Sequence, residues 1–256
     1  MIGSSRLIAV LGIDGSGKST VSHRLAESLS RDHLVCLVSD ELKLYEAGSP
    51  TIEPAPITER LRHAVHVMAK HATSLKAYKI PKLTDLFLRD RLAHIMARRY
   101  KPRTIVTDGS PLLNMIAWAS LYKERVLPAD TCSRAIGVLT GAAVHEDEQD
   151  ALYATFPELS VIKRAGLNKL TLPDLCLFLD VSAAEACRRI MQRKETTQVH
   201  ETEVSLDRLR SAYLEVCRAV GEPWDTCVRI LDANAEPDEV MAAAARAVEE
   251  YREQAY

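Results

Sequence analysis

The chain has 256 residues, of which 47% are hydrophobic, 27% charged and 5% aromatic, and its formal net charge is −2. That length suits one α/β domain with an insertion, or at most two small domains, and is ample to bury a core. The balanced charge and sparse aromatics argue against a nucleic-acid partner, and no apolar run approaches the ~18 residues of a membrane span.

Residues 7–11 form an apolar run suited to a buried strand. Directly after it comes Gly12-Ile13-Asp14-Gly15-Ser16-Gly17-Lys18-Ser19-Thr20, which fits G-x-x-x-x-G-K-[ST] with Gly12, Gly17, Lys18 and Ser19 at the fixed positions. Val21, Leu25, Ala26 and Leu29 then fall on one helical face over 18–30. A strand, this loop and a helix make a phosphate cradle. Glycines free the backbone N–H groups to turn inward, and the helix start adds its positive dipole end. Lys18 would reach the β- and γ-phosphates of a nucleotide, and the Ser19 hydroxyl would sit on Mg²⁺. Asp14 either lines the cradle or satisfies loop backbone groups. Thr20 either touches the α-phosphate or packs in the first turn.

Residues 34–39 predict a second strand, ending in Asp40 and Glu41. Carboxylates at such a C-terminal edge bind an acceptor hydroxyl or base, or cap the next segment. Residues 47–56 predict a loop and 57–77 a helix. Pro81 is expected to break that helix, and Thr84 to cap another running to about residue 100. A third strand, 104–108, ends in Asp108, which is expected to serve the metal waters or the acceptor, or else to cap the helix over 112–123. Residues 125–172 predict an insertion or cap, with short helices over 131–143 and 147–155. A fourth strand covers 174–181, with a helix over 183–193. A polar stretch at about 193–203 predicts a mobile lid. A helix over 206–220, a fifth strand over 227–231 and a terminal amphipathic helix over 238–252 complete the chain.

Short apolar strands alternating with helices predict a three-layer α/β sandwich: a five-stranded parallel sheet with helices on both faces. The expected organisation is one domain, with a core of 1–124 and 173–256. Six cysteines are scattered, none in a Cys-x-x-Cys pair. Together with a phosphate loop that starts too early to follow a signal peptide, they predict a cytoplasmic chain.

The phosphate loop resembles that of the thymidylate kinase family almost letter for letter. Leu86-Phe87-Leu88-Arg89-Asp90-Arg91-Leu92-Ala93-His94 is similar to that family's l-F-x-A-x-R-x-x-H helix, and residues 173–181 to its P-D-x-x-x-x-L-D-v strand. Glu201 and Tyr213 fall near its lid glutamate and following tyrosine, and Leu231-Asp232-Ala233 resembles its last strand. The resemblance implies a P-loop kinase fold and ATP- and Mg²⁺-dependent phosphoryl transfer to a nucleotide or nucleoside, dTMP being the first candidate. It also implies a homodimer. Arg91 takes the place of the acceptor-phosphate arginine. This phosphate loop holds no arginine, so Arg193 with Arg189 (or Arg188) is implied as the transition-state donor from the lid; the other reading of these arginines is a solvated basic face. Arg91 likewise has the alternative of a surface pair.

Three departures bear on the acceptor. Ser39-Asp40-Glu41-Leu42 stands where the family has Arg-Glu-Pro-Gly, Asp108-Gly109-Ser110 where it has Asp-Arg, and no glycine follows Arg193. They leave room for a non-nucleotide acceptor. An NTP-hydrolysing regulatory ATPase is a further alternative, although there is no Asn-Lys-x-Asp guanine motif. His71 and His94 are expected to be structural or solvated, since no second ligand lies at metal spacing.

Overall fold

The computed structural model describes residues 5–51, 57–142, 145–156, 169–193 and 200–254. Its strands are β1 (Arg6–Gly12), β2 (Val35–Val38), β3 (Leu42–Glu46), β4 (Ser49–Thr51), β5 (Thr104–Asp108), β6 (Leu175–Asp180) and β7 (Cys227–Asp232). The helices are α1 (Lys18–Leu29), α2 (Ile57–Lys70), α3 (Leu75–Tyr100), α4 (Pro111–Tyr122), α5 (Ala129–Thr140), α6 (Glu146–Thr155), α7 (Ala183–Gln192), α8 (Glu203–Val220) and α9 (Pro237–Gln254), with a 3₁₀ turn at Glu222–Trp224.

The strands form one sheet in the order β4-β3-β2-β5-β1-β6-β7. The five from β2 to β7 are parallel, as the alternation of strands and helices predicts. The sheet has seven strands rather than five, because β3 and β4 add antiparallel to the β2 edge. Their hairpin turns at Ala47 and Gly48, both at positive φ. Pro50 sits in the outermost strand, the position where a missing N–H costs no ladder bond. These strands are short and only partly apolar, so their period-2 signal is weak beside that of β1, whose residues 7–11 are all nearly or fully buried.

The helical expectation is corrected at Pro81. α2 ends at Lys70, and α3 begins after Ser74, whose side chain accepts from the Ala77 amide at 3.2 Å. Pro81 lies inside α3. Thr84 does not cap; its hydroxyl donates to the Ile80 carbonyl at 2.9 Å. An interior proline costs about 3 kcal/mol. Here buried residues lie on both sides of it: Tyr78 before, and Leu86, Phe87, Leu92, Ala93 and Met96 after, all packed in the core. Lys101, in the left-handed region, ends the helix.

The larger hydrophobic cluster joins β1 and β6 to α1, α4, α8 and α9, and includes Ile136, Leu139, Leu152, Phe156 and Leu170 from the stretch between α4 and β6. α5 is tied to the segments beyond it: Trp224 Nε1 donates to Ser133 Oγ at 3.0 Å, and the Ala129 amide to Glu215 Oε2 at 3.0 Å. All six cysteines are free thiols, four of them buried. Because β1, β2, β5 and β6 run parallel, their C-terminal ends bring Gly12, residues 39–40, Asp108 and Asp180 to one edge of the sheet, where ligands of open α/β sheets bind.

Candidate active site

The phosphate loop leaves β1 at Gly12 and enters α1 at Lys18. Gly15 and Gly17 have φ of 85° and 90°. A Cβ on Gly12 would lie 2.5 Å from Ser16 Oγ, and one on Gly15 would lie 2.6 Å from the Ala186 carbonyl of α7. At Gly12 and Gly15 the loop is therefore seated against its own Ser16, β6 and α7 with room for hydrogen atoms alone. No side chain caps α1, so its first amides are open to an anion. Ser16 Oγ is buried in the loop without a hydrogen-bond partner. Thr20, one of whose two readings was packing in the first turn, is exposed and lines the cleft.

Lys18 Nζ donates to the Ile13 carbonyl at 2.8 Å and lies 3.4 Å from Asp14 Oδ1. Asp14 Oδ2 meets His200 Nε2 at 2.7 Å. Burial works against the Asp14 charge, but Lys18 and His200 outweigh it and hold its carboxyl well below the usual range. His200 is itself buried, packed against Trp118 at 4.6 Å and Tyr78 at 5.0 Å between ring centroids. One histidine thus joins the phosphate loop to α3 and α4.

Ser19 Oγ donates to Asp108 Oδ2 at 2.6 Å. Asp108 ends β5 beside β1, in register with Val10, and its Oδ1 is buried without a hydrogen-bond partner. Asp108 does not cap the following helix. Ser110 does, accepting from the Leu113 amide at 3.3 Å.

On the far side of the cleft, two buried arginines frame the end of β2. Arg62 donates to both Glu59 oxygens at 2.9 and 2.8 Å, to Asp85 Oδ1 at 3.2 Å, and to the Asp40 carbonyl. Arg89 donates to Asp85 Oδ2 at 3.1 Å, to the Asp108 carbonyl at 3.1 Å and to Asp40 Oδ1 at 2.5 Å. Burial works against the Asp40 charge, but Arg89, then His66 and Lys82, prevail and lower its carboxyl to about 2. Lys82 lies over the Trp118 ring at 5.2 Å, and burial lowers its ammonium pKa. Tyr213 donates to Asn114 Oδ1 at 2.9 Å, and both line the cleft.

The cleft thus brings together Gly12, Asp14, Gly17, Lys18, Ser19, Thr20, Asp40, Asp108 and Arg193 of the residues expected from sequence. Three others stand elsewhere. Glu41 is exposed and pairs with Lys43 at 2.7 Å. Arg189 pairs with Glu185 at 2.7 Å, a carboxylate it shares with Arg188. The helix expected over 183–193 ends one residue early, since α7 stops at Gln192 and Arg193 is extended. Arg91 is exposed and lines a separate pocket with His94, Arg98 and Asp174, at the other end of the sheet. The cleft arginine of α3 is Arg89, since two residues along a helix turn the side chain by about 200°. His94 joins α3 to the segment before β6, with Nε2 2.8 Å from Thr171 Oγ1. Of the stretch expected to form the lid, residues 194–199 lie outside the described residues. Sequence reasoning missed Arg62, Tyr78, Lys82, Asp85, Asn114, Trp118 and His200. A signal existed for part of this set: Lys82, Asp85, Leu86 and Arg89 are spaced i, i+3, i+4, i+7, which places them on one helical face.

No family model matches the chain. Over 230 residues, 90% of the chain, it is 26% identical to the thymidylate kinase of Leptospira borgpetersenii serovar Hardjo-bovis (strain L550), covering 86% of that protein. Over 233 residues, again 90% of the chain, it is 28% identical to the thymidylate kinase of Leptospira interrogans serogroup Icterohaemorrhagiae serovar copenhageni (strain Fiocruz L1-130), covering 87% of it. Among solved structures, a deoxyadenosine kinase from M. mycoides with the products dCMP and dCDP bound superposes with a TM-score of 0.53 at 15% identity, covering 95% of this chain and 99% of that one. The likeness first visible in separate motifs therefore extends along nine-tenths of the chain, and the fold is that of the P-loop kinases.

Proposed function

We propose that this chain transfers the γ-phosphoryl group of ATP to a nucleotide or nucleoside, with dTMP the first acceptor to test because its relatives are thymidylate kinases. The observation that carries this reading is the meeting of Ser19 Oγ and Asp108 Oδ2 at 2.6 Å beside Lys18, at the mouth of a glycine cradle. In phosphoryl transfer the protein mainly positions groups and neutralises charge. The amides at the start of α1 and the Ser16 hydroxyl hold the donor phosphates, and Lys18 exchanges the Ile13 carbonyl for a phosphate oxygen. Arg193, on the cleft rim, stabilises charge on the phosphoryl group in transit.

The residues present fit a magnesium ion: the Ser19 hydroxyl meets one oxygen of the Asp108 carboxylate, whose other oxygen is buried without a hydrogen-bond partner. When bound, Mg²⁺ supplies charge neutralisation on the β- and γ-phosphates. Among the described residues no helix is long and apolar enough to cross a membrane.

The test is turnover with ATP and Mg²⁺ against nucleosides, nucleoside monophosphates and small alcohols, with ADP and phosphorylated product both quantified. One product per ADP is expected, and Lys18→Ala should lower kcat by roughly 10²–10³, the range for losing one transition-state donor. ADP without an acceptor product would assign the site to hydrolysis.

A further inference from the structure

The cavity at the other end of the sheet is separate from the cleft. Its volume is about 630 Å³, within the range of small-molecule sites. Leu7 lines the cavity and Gly12 the cleft, and β1 holds them about 17 Å apart at its rise of roughly 3.3 Å per residue. The walls come mainly from the start of β1, the C-terminal half of α3 and the segment leading into β6.

In α3, Arg91, His94 and Arg98 are spaced i, i+3 and i+7, which puts them on one helical face. Lys169 adds a further cation from the segment before β6. Arg91, Arg98 and Lys169 are exposed, and none has a carboxylate within ion-pair distance among the described residues. The helix dipole accounts for Arg98, which lies in the last turn of α3. It does not account for Arg91, two turns earlier, or for Lys169 on another segment. The carboxylates nearby are already engaged. Asp174 Oδ2 accepts from the Leu7 amide at 2.6 Å. Asp90 Oδ1 accepts from the Thr171 amide at 3.0 Å, and its Oδ2 lies 3.6 Å from His94 Nε2. The lining therefore sets Arg91, Arg98 and Lys169 against Asp174 alone, in a chain whose formal net charge is −2. Cations gathered round one hollow repel each other, and an anion seated among them relieves that repulsion. Leu7, Ile95, Leu170 and Leu172 supply apolar surface beside the charges.

We infer that this cavity is a second ligand site, built for a small molecule that carries a di- or triphosphate. Its phosphates meet Arg91, Arg98 and Lys169, and its carbon framework meets the apolar wall. Guanidiniums grip phosphate oxygens through paired N–H bonds. Arg91 and Arg98 leave α3 about 10.5 Å apart along its axis. That separation exceeds one phosphate group and suits two or three linked ones, reached by long side chains from either end.

The test is calorimetric titration of the full chain with magnesium-free pyrophosphate at physiological salt, beside a titration with sulfate. Two pyrophosphate sites are expected, one in the cleft and one in the cavity. Lys18→Ala should weaken the first alone. Arg91→Gln combined with Arg98→Gln should weaken the second alone by about 10² or more, the loss of two charge-assisted contacts. Unchanged binding in that double variant overturns the inference, as does a lone wild-type site that Lys18→Ala removes. Sulfate held as tightly as pyrophosphate at the cavity marks an unspecific ion atmosphere and overturns it too. A site lost in the double variant while Lys18→Ala changes nothing supports the inference and tells against the phosphate-loop reading instead. Where the double variant does not fold, phenylglyoxal labelling of the wild-type chain decides. Pyrophosphate should slow modification of Arg91 and Arg98, read by peptide mass, and unchanged labelling of both overturns the site.

Discussion

Arg193 and Arg189 are four residues apart, yet they meet different surroundings because α7 ends between them. Arg189 remains on the helix and is tied to Glu185, while Arg193 leaves it in an extended conformation and lines the cleft. Its exposed guanidinium is therefore the one of the pair that lines the cleft. Arg193→Ala should reduce kcat by about 10³ or more, the lower end of what an arginine contributes in this chemistry, with little change in ATP affinity. Single-turnover rates and the ATP dissociation constant check this; a loss confined to affinity would move the transition-state role to another residue. Arg89 and Arg91 carry a similar lesson. Both were legible as basic residues of one helix, and the family pattern pointed to Arg91. The spacing puts Arg89 on a face with Lys82 and Asp85, and the packed helix shows that this face turns into the cleft.

Between elements, the decisive contact is that of the phosphate loop with α7. Gly15 holds a φ of 85° and approaches the Ala186 carbonyl so closely that a methyl group would overlap it at 2.6 Å. Gly15→Ala combines an unfavourable backbone conformation, worth roughly 1–3 kcal/mol, with displacement of the loop from the helix. Denaturant unfolding should register that loss, and KM for ATP should rise because the amides no longer converge. Wild-type stability and KM together would show that the loop re-seats freely. The glycine pattern was readable from the sequence; the neighbour that makes Gly15 necessary comes from a segment about 170 residues away. α3 shows the opposite case. Pro81 is a strong local stop signal, and it was overruled by burial of the residues on either side. Local propensity of a few kcal/mol yields where a long helix covers a sheet.

At the level of the whole molecule, folding partly buries four histidines. His23, His33, His66 and His94 all have pKa values lowered from 6.5, with burial the largest cause in each. Such a group binds its proton more readily in the unfolded chain. As pH falls below 6.5, the unfolded state takes up more protons and stability declines. Asp90 and Asp174 act in the opposite sense. Burial raises their pKa values, so the folded state takes up protons first as they titrate at lower pH. The unfolding free energy from urea titration should therefore be smaller at pH 5.5 than at pH 7.5. An equal or larger value at pH 5.5 would mean that the histidines do not outweigh the buried carboxylates.

The sequence by itself determined the phosphate loop, the five parallel strands and the alternation of strand and helix. These rest on contiguous residues: a glycine pattern and apolar runs carry their signal within one stretch of chain. It also pointed to Asp108, Asp40 and Arg193, because strand ends and a polar segment after a helix are visible locally. The tertiary structure alone decided the edge hairpin, the continuous α3 and the partners of the cleft. Arg62, Asp85, Arg89 and Asp40 come from three separate segments, and His200 reaches Asp14 across 186 positions. No periodicity links residues so far apart. Which charge faces the cleft and which is neutralised within the protein is settled only when the chain has folded and burial has made each buried group take a partner.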